Sequence, residues 1–140
     1  MASKTYLFFH LVFTPKYRRP WLEGWTCALV GYAVSTICRY YGAHYLALNS
    51  GPARDHIHLL VCLPPDVALA WFVRDVKSMS GRLINAQRQT TGSPFWGAGY
   101  FAKTVGRGSL ESARRYVVEQ WNEDAARTTP PDPEATVLKD

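Results

Sequence analysis

The chain has 140 residues, 47% of them apolar, and a formal net charge of +5 at pH 7. That length predicts one compact domain with a sizeable core; no apolar run is long enough to span a bilayer and the N-terminus lacks the charged-then-apolar pattern of a signal peptide, so a cytoplasmic protein with no membrane partner is expected. The tail, residues 122–140, holds five acids and two bases, and its net of −3 leaves +8 on residues 1–121, a basic body that fits a polyanionic partner, most simply nucleic acid.

Residues 4–14 centre on Tyr6-Leu7-Phe8-Phe9-His10-Leu11-Val12-Phe13. The stretch is apolar on both faces and predicts a central strand, with His10 as its polar exception. Pro15-Lys16-Tyr17-Arg18-Arg19-Pro20 then brackets three cations and a tyrosine between prolines. Such a loop suits phosphate contacts with a ring available for stacking, and it also suits a solvated turn. Leu22, Trp25, Leu29, Ala33 and Ile37 recur at helical spacing and predict a helix over 22–41, stopped by Gly42.

A short strand over 45–49 and a turn over 50–54 lead into Asp55-His56-Ile57-His58-Leu59-Leu60-Val61-Cys62, bounded by Gly51-Pro52 and Pro64-Pro65. This β-branched, apolar run reads as a buried strand in an antiparallel hairpin. Side chains alternate along a strand, which puts His56 and His58 on one face and Ile57 in the core. Two imidazoles so placed can grip one divalent metal; two half-exposed strand histidines fit the same spacing. The three cysteines, Cys27, Cys38 and Cys62, lack a close Cys or His partner at ligand spacing and read as buried free thiols.

Asp66 is expected to cap a second helix with the apolar stripe Leu69, Phe72, Val73, Val76 and Leu83. Its other side carries Arg74, Lys77, Ser78 and Arg82, a basic face that solvent alone could explain. After a Thr/Gly/Ser/Pro loop, the aromatic, glycine-rich run Phe95-Trp96-Gly97-Ala98-Gly99-Tyr100-Phe101 leads to a strand over 100–105. Strand, helix, strand, strand, helix, strand is the split βαβ pattern: an α+β, ferredoxin-like antiparallel sheet (an RRM-like palm) with both helices on one face.

Gly106-Arg107-Gly108 reads as a flexible joint and Ser109 as an N-cap, followed by a C-terminal helix over 110–121 with the stripe Leu110, Ala113, Val117 and Trp121. Tyr116 and Gln120 stand one turn apart on its flank. A tyrosine can act as a covalent nucleophile and a glutamine oxygen can ligate a hard cation; a half-buried tyrosine at a helix edge is the plainer alternative. Residues 128–134, with three prolines, read as a mobile end, so residues 1–121 form the expected domain and 122–140 an acidic tail.

Four segments carry a resemblance. They are Phe9-His10-Leu11-Val12-Phe13-Thr14-Pro15-Lys16-Tyr17-Arg18-Arg19, then Asp55-His56-Ile57-His58-Leu59-Leu60-Val61, then Phe95 to Phe101 with Thr104-Val105-Gly106, and last Tyr116-Val117-Val118-Glu119-Gln120. In order and spacing they resemble the single-tyrosine HUH transposases of small bacterial and archaeal insertion sequences, the TnpA family. The likeness implies that His56, His58 and Gln120 bind a divalent metal, Mg²⁺ or Mn²⁺, and that Tyr116 is the nucleophile. It implies a substrate of single-stranded DNA, recognised as imperfect hairpins at insertion-sequence ends, cut and rejoined through a 5′-phosphotyrosine. It further implies a homodimer whose tyrosine helix can face the partner's histidines. In that setting Lys16, Tyr17, Arg18, Arg19, Arg74, Lys77 and Arg82 are the expected DNA contacts. Two alternatives are a domesticated relative acting on repeated palindromes and a non-catalytic module that stacks single-stranded bases on its sheet.

Overall fold

The computed structural model describes residues 7–89, 93–112 and 114–115. In chain order these form β1 (Leu7–Phe13), a 3₁₀ turn (Lys16–Arg18), α1 (Gly24–Tyr41), β2 (His44–Asn49), β3 (Ile57–Leu63), α2 (Leu69–Arg88), β4 (Phe101–Val105) and a second 3₁₀ turn (Arg107–Ser109). The strand pairings are antiparallel and the sheet order is β2-β3-β1-β4. This is the ferredoxin-like α+β arrangement that the order of elements predicts.

Strand alternation decides which face the helices cover. Leu11 and Phe13 of β1 and Ile57, Leu59, Val61 and Leu63 of β3 join Val30, Val34 and Cys38 of α1 and Phe72, Val73, Val76 and Ile84 of α2 in one buried cluster. Each large side chain so buried contributes on the order of 1.5–3 kcal/mol. The alternate residues, including His10, His58 and Leu60, face the other way. In β2 a bulge between Tyr45 and Ala47 shifts the register. As a result Tyr45 packs on the helix-side cluster, while Ala47 meets Leu60 on the open face.

Several local expectations need correcting. The buried side of α1 is Thr26, Cys27, Val30, Ala33, Val34 and Cys38, and Trp25, expected in the stripe, is exposed. The predicted stripe is rotated because Leu22 is buried before the helix begins. The phase is set at the N-terminus, where the Glu23 amide donates to Thr26 Oγ1 (2.6 Å). Asp66 does not cap α2. The Val67 amide turns back to the Pro64 carbonyl (3.2 Å), and the helix starts after Ala68, whose carbonyl accepts from Trp71 and Phe72. Ile84, rather than Leu83, fills the last core position.

At the C-terminal end, 110–112 and 114–115 are helical. The rest of the expected helix over 110–121, and the tail over 122–140, lie outside the described residues. No helix among the described residues is long and apolar enough to cross a membrane.

Candidate functional site

The histidine pair is built slightly differently from the expectation. β3 begins at Ile57, so His56 precedes the strand instead of lying within it. The turn that leads in holds Arg54 at a left-handed φ of 61°. Both imidazoles still converge, with ring centroids 4.8 Å apart and planes edge to face.

Each ring is held at the same nitrogen. Asp55 Oδ1 accepts from His56 Nδ1–H at 2.7 Å, and His58 Nδ1 is hydrogen-bonded to His10 Nε2 at 2.9 Å. The His10 and His58 rings stack, 5.1 Å apart and 22° from parallel. Arg18 Nη2 donates to the second Asp55 oxygen at 3.1 Å. Neither Asp55 nor His10 was singled out from the sequence as a site residue. The signals were a carboxylate adjoining His56 and a lone imidazole in an otherwise apolar strand, which the β1–β3 register brings beside His58.

Electrostatics disfavour protonation of His58 and His10. Burial, then the neighbouring His56 and His10, push the His58 pKa down to about 3. Burial and the Lys103 charge lower that of His10. For His58 the folded-state value lies below the ordinary 6.5. Its contribution to stability is therefore complete above that ordinary value and is lost as pH falls toward the folded one, because the unfolded chain binds the proton first. Denaturant unfolding at about pH 7 and about pH 4 should show a larger acid loss in the native chain than in His58→Leu. Equal losses would mean that another group carries the acid sensitivity.

Neutral imidazoles are the ligating form for a metal. Among the described residues, no group of three or more His, Cys, Asp or Glu side chains is arranged to hold an ion. His56 and His58 alone would thus give an ion only part of a donor set. Tyr116 and Gln120 lie outside the described residues. The helix expected to carry them begins on the histidine face, where Leu110 packs with Leu46 and Val105 against Ala47 and Leu60. A groove of about 490 Å³ runs along β4 to this point, lined by His10, Phe101, Lys103, Ser109 and Ser112 among others.

The fold separates the basic residues. Arg18 belongs to the histidine site through Asp55. Lys16, Lys77 and Arg82 line a separate groove of about 550 Å³ between α2 and residues 94–98. There Lys77 Nζ donates to the carbonyls of Gly97 (2.7 Å) and Gly99 (2.9 Å), which ties down the aromatic loop. The Gly97 amide in turn donates to the Thr14 carbonyl at 2.8 Å.

Beside this groove Arg19 lies over Tyr17 (5.4 Å) and Trp21 (5.0 Å), and Arg88 over Trp21 (4.3 Å). Arg88 and Trp21 escaped the sequence reading because only the fold brings the end of α2 to the loop before α1. Arg74 stands apart, donating to Asp75 Oδ1 at 2.9 Å, while the Tyr41 hydroxyl donates to the other carboxylate oxygen.

Residues 3–120 match the family described as "Transposase IS200 like". The transposase for insertion sequence element IS200 of Salmonella typhimurium strain LT2 is 29% identical over 121 residues, covering 83% of this chain and 78% of that one. The ISDra2 transposase TnpA of Deinococcus radiodurans is 24% identical over 121 residues, covering 83% and 85%. Two solved structures share the fold. One, a candidate transposase from Deinococcus radiodurans R1, has a TM-score of 0.65 at 22% identity, over 86% of this chain and 95% of that one. The other, a REP-associated tyrosine transposase bound to a REP hairpin, has a TM-score of 0.57 at 14% identity, over 94% and 89%. The family match spans the whole sheet, both helices and the histidine pair, and the chain belongs to the IS200-like transposases, enzymes that cleave DNA and transfer strands.

Proposed function

We propose that this transposase binds single-stranded DNA at hairpin-forming insertion-sequence ends and cuts and rejoins it through a covalent intermediate on Tyr116. The observation that carries the reading is the convergence of His56 and His58 with each Nδ1 already engaged. A donor set of two imidazoles fits a borderline or hard divalent ion once an oxygen ligand joins it, and the Gln120 amide is the residue proposed for that place. A bound Mg²⁺ or Mn²⁺ would supply positive charge against the scissile phosphate and the developing phenolate.

The protein's own chemistry is then an in-line displacement. Tyr116 Oη attacks phosphorus and loses its proton as the new O–P bond forms. The bond from phosphorus to the 3′ oxygen breaks, leaving a 5′-phosphotyrosine and a 3′-hydroxyl. A later 3′-hydroxyl can attack the phosphotyrosine and expel Tyr116, so strands are rejoined without an external energy source. With one such tyrosine per chain, two DNA ends call for a homodimer; the outer strands β2 and β4 are the edges proposed for it.

Hairpin recognition draws support from the REP hairpin in the structural relative and from the second groove here. Lys16 and Arg82 line that groove and Arg88 flanks it, next to the exposed Tyr17 ring. Replacing Lys16, Arg82 and Arg88 with alanine should weaken hairpin binding and reduce the slope of log affinity against log salt by about 2–3, at about 0.7–0.9 per lost phosphate contact. An unchanged slope would return the groove to ordinary solvated surface.

The reading as a whole is tested with single-stranded DNA from an insertion-sequence end, Mg²⁺ or Mn²⁺, and a denaturing gel. A covalent protein–DNA adduct is expected. Tight hairpin binding with no adduct under either metal would favour the non-catalytic binding module.

A further inference from the structure

We propose that Asp55 and His10 are positioning residues: by holding Nδ1 of His56 and of His58, they select Nε2 of each ring as its ligating nitrogen. The inference rests on the metal-site reading above and adds two residues to it.

A neutral imidazole carries one N–H, and only the nitrogen without it can ligate. An ionised carboxylate can only accept, so Asp55 Oδ1 at 2.7 Å keeps the proton of His56 on Nδ1 and leaves the lone pair on Nε2. For His58 to ligate through Nε2, its proton must likewise sit on Nδ1. His10 Nε2, 2.9 Å away, must then accept, which places the proton of His10 on its own Nδ1. Stacking of the two rings at 5.1 Å and 22° opposes rotation out of that bond.

Arg18 completes the arrangement. It donates to the Asp55 oxygen that His56 does not use, so the carboxylate cannot swing away without losing an ion pair. The backbone of Arg18 is left-handed, with φ of 52°, a conformation that non-glycine residues seldom adopt. The contact it makes possible is with the histidine site. That gives this loop residue a task other than binding DNA phosphate.

The arrangement makes isosteric Asp55→Asn a sharp variant. Asparagine has one acceptor oxygen, which Arg18 claims, so the amide NH₂ faces His56 and moves its proton to Nε2. His10→Phe keeps a ring but removes the acceptor, whereas His10→Gln keeps an acceptor.

Two measurements test this on the full chain. The first is the tautomer of each histidine, from ¹⁵N NMR of metal-free protein at about pH 8, where an ordinary imidazole is neutral. The second is Mn²⁺ affinity, from EPR of the free ion. Native protein should show Nδ1–H for His56 and His58. Asp55→Asn should convert His56 to Nε2–H, and His10→Phe should mix the forms of His58. Each should weaken Mn²⁺ binding by about 10–100-fold, while His10→Gln recovers most of the loss. Thermal melting and hairpin affinity close to native separate these effects from misfolding, and Asp55→Asn keeps the test sound should His10→Phe fold poorly.

Native tautomers and native Mn²⁺ affinity in Asp55→Asn and His10→Phe, with binding lost in the His56→Ala/His58→Ala double variant, would overturn this inference and leave the metal site standing. Mn²⁺ binding that survives the double variant would overturn both.

Discussion

Strand cleavage is expected to fall by about 10³-fold or more in His56→Ala and in His58→Ala, and chelation should silence the native chain until Mg²⁺ or Mn²⁺ is restored. The magnitude follows from the several kcal/mol that a bound cation contributes to a charged transition state, at about 1.4 kcal/mol per factor of ten. Among the described residues no group of three or more His, Cys, Asp or Glu side chains could hold an ion, so each ring would be a large fraction of the donor set. Gln120→Ala should be milder, because water can replace a neutral oxygen ligand. Cleavage assayed on hairpin DNA in excess chelator decides the matter: full activity there would make the histidine pair structural and end the metal reading.

Much of this architecture is legible from periodicity, for physical reasons. Apart from His58, the run from Ile57 to Leu63 is apolar on both faces because helices cover one face while Leu46, Val105 and Leu110 pack against Leu60 on the other. Gly42 ends α1 in the left-handed conformation that glycine permits. What stayed hidden depends on tertiary register. Nothing local reveals that β1 pairs with β3 so as to set His10 against His58, or that Arg18 reaches across 37 positions to Asp55.

The helix stripes were less legible. Trp25 belongs to the expected periodic set of α1, but the buried Leu22 and the Thr26 contact rotate that helix away from it. Basic residues on α2 look alike in sequence. The fold gives Lys77 two backbone carbonyls, Arg74 a carboxylate, and leaves Arg82 exposed in the groove. Charge located the partner class; only the fold sorts the contacts.

Tyr116→Phe is expected to abolish the covalent adduct while leaving hairpin affinity within about twofold of native, since it removes one nucleophilic oxygen and retains the ring's packing. A denaturing gel and a binding titration on the same preparation read both quantities. An undiminished adduct would move the nucleophile to another tyrosine, with Tyr17 and Tyr100, both exposed, the first to test. The same variant addresses which histidines Tyr116 serves. Mixed with a His56→Ala/His58→Ala chain, it yields a heterodimer that has one intact site if the tyrosine helix acts across the dimer, and none if it acts within its own chain. Subunit exchange is established first with differently tagged chains, because unexchanged homodimers are dead in both arrangements. Cleavage that returns after exchange assigns the active site to two chains. A mixture that stays dead despite exchange assigns Tyr116 to its own chain's histidines, on the face where Leu110 already packs, and leaves its role as nucleophile intact.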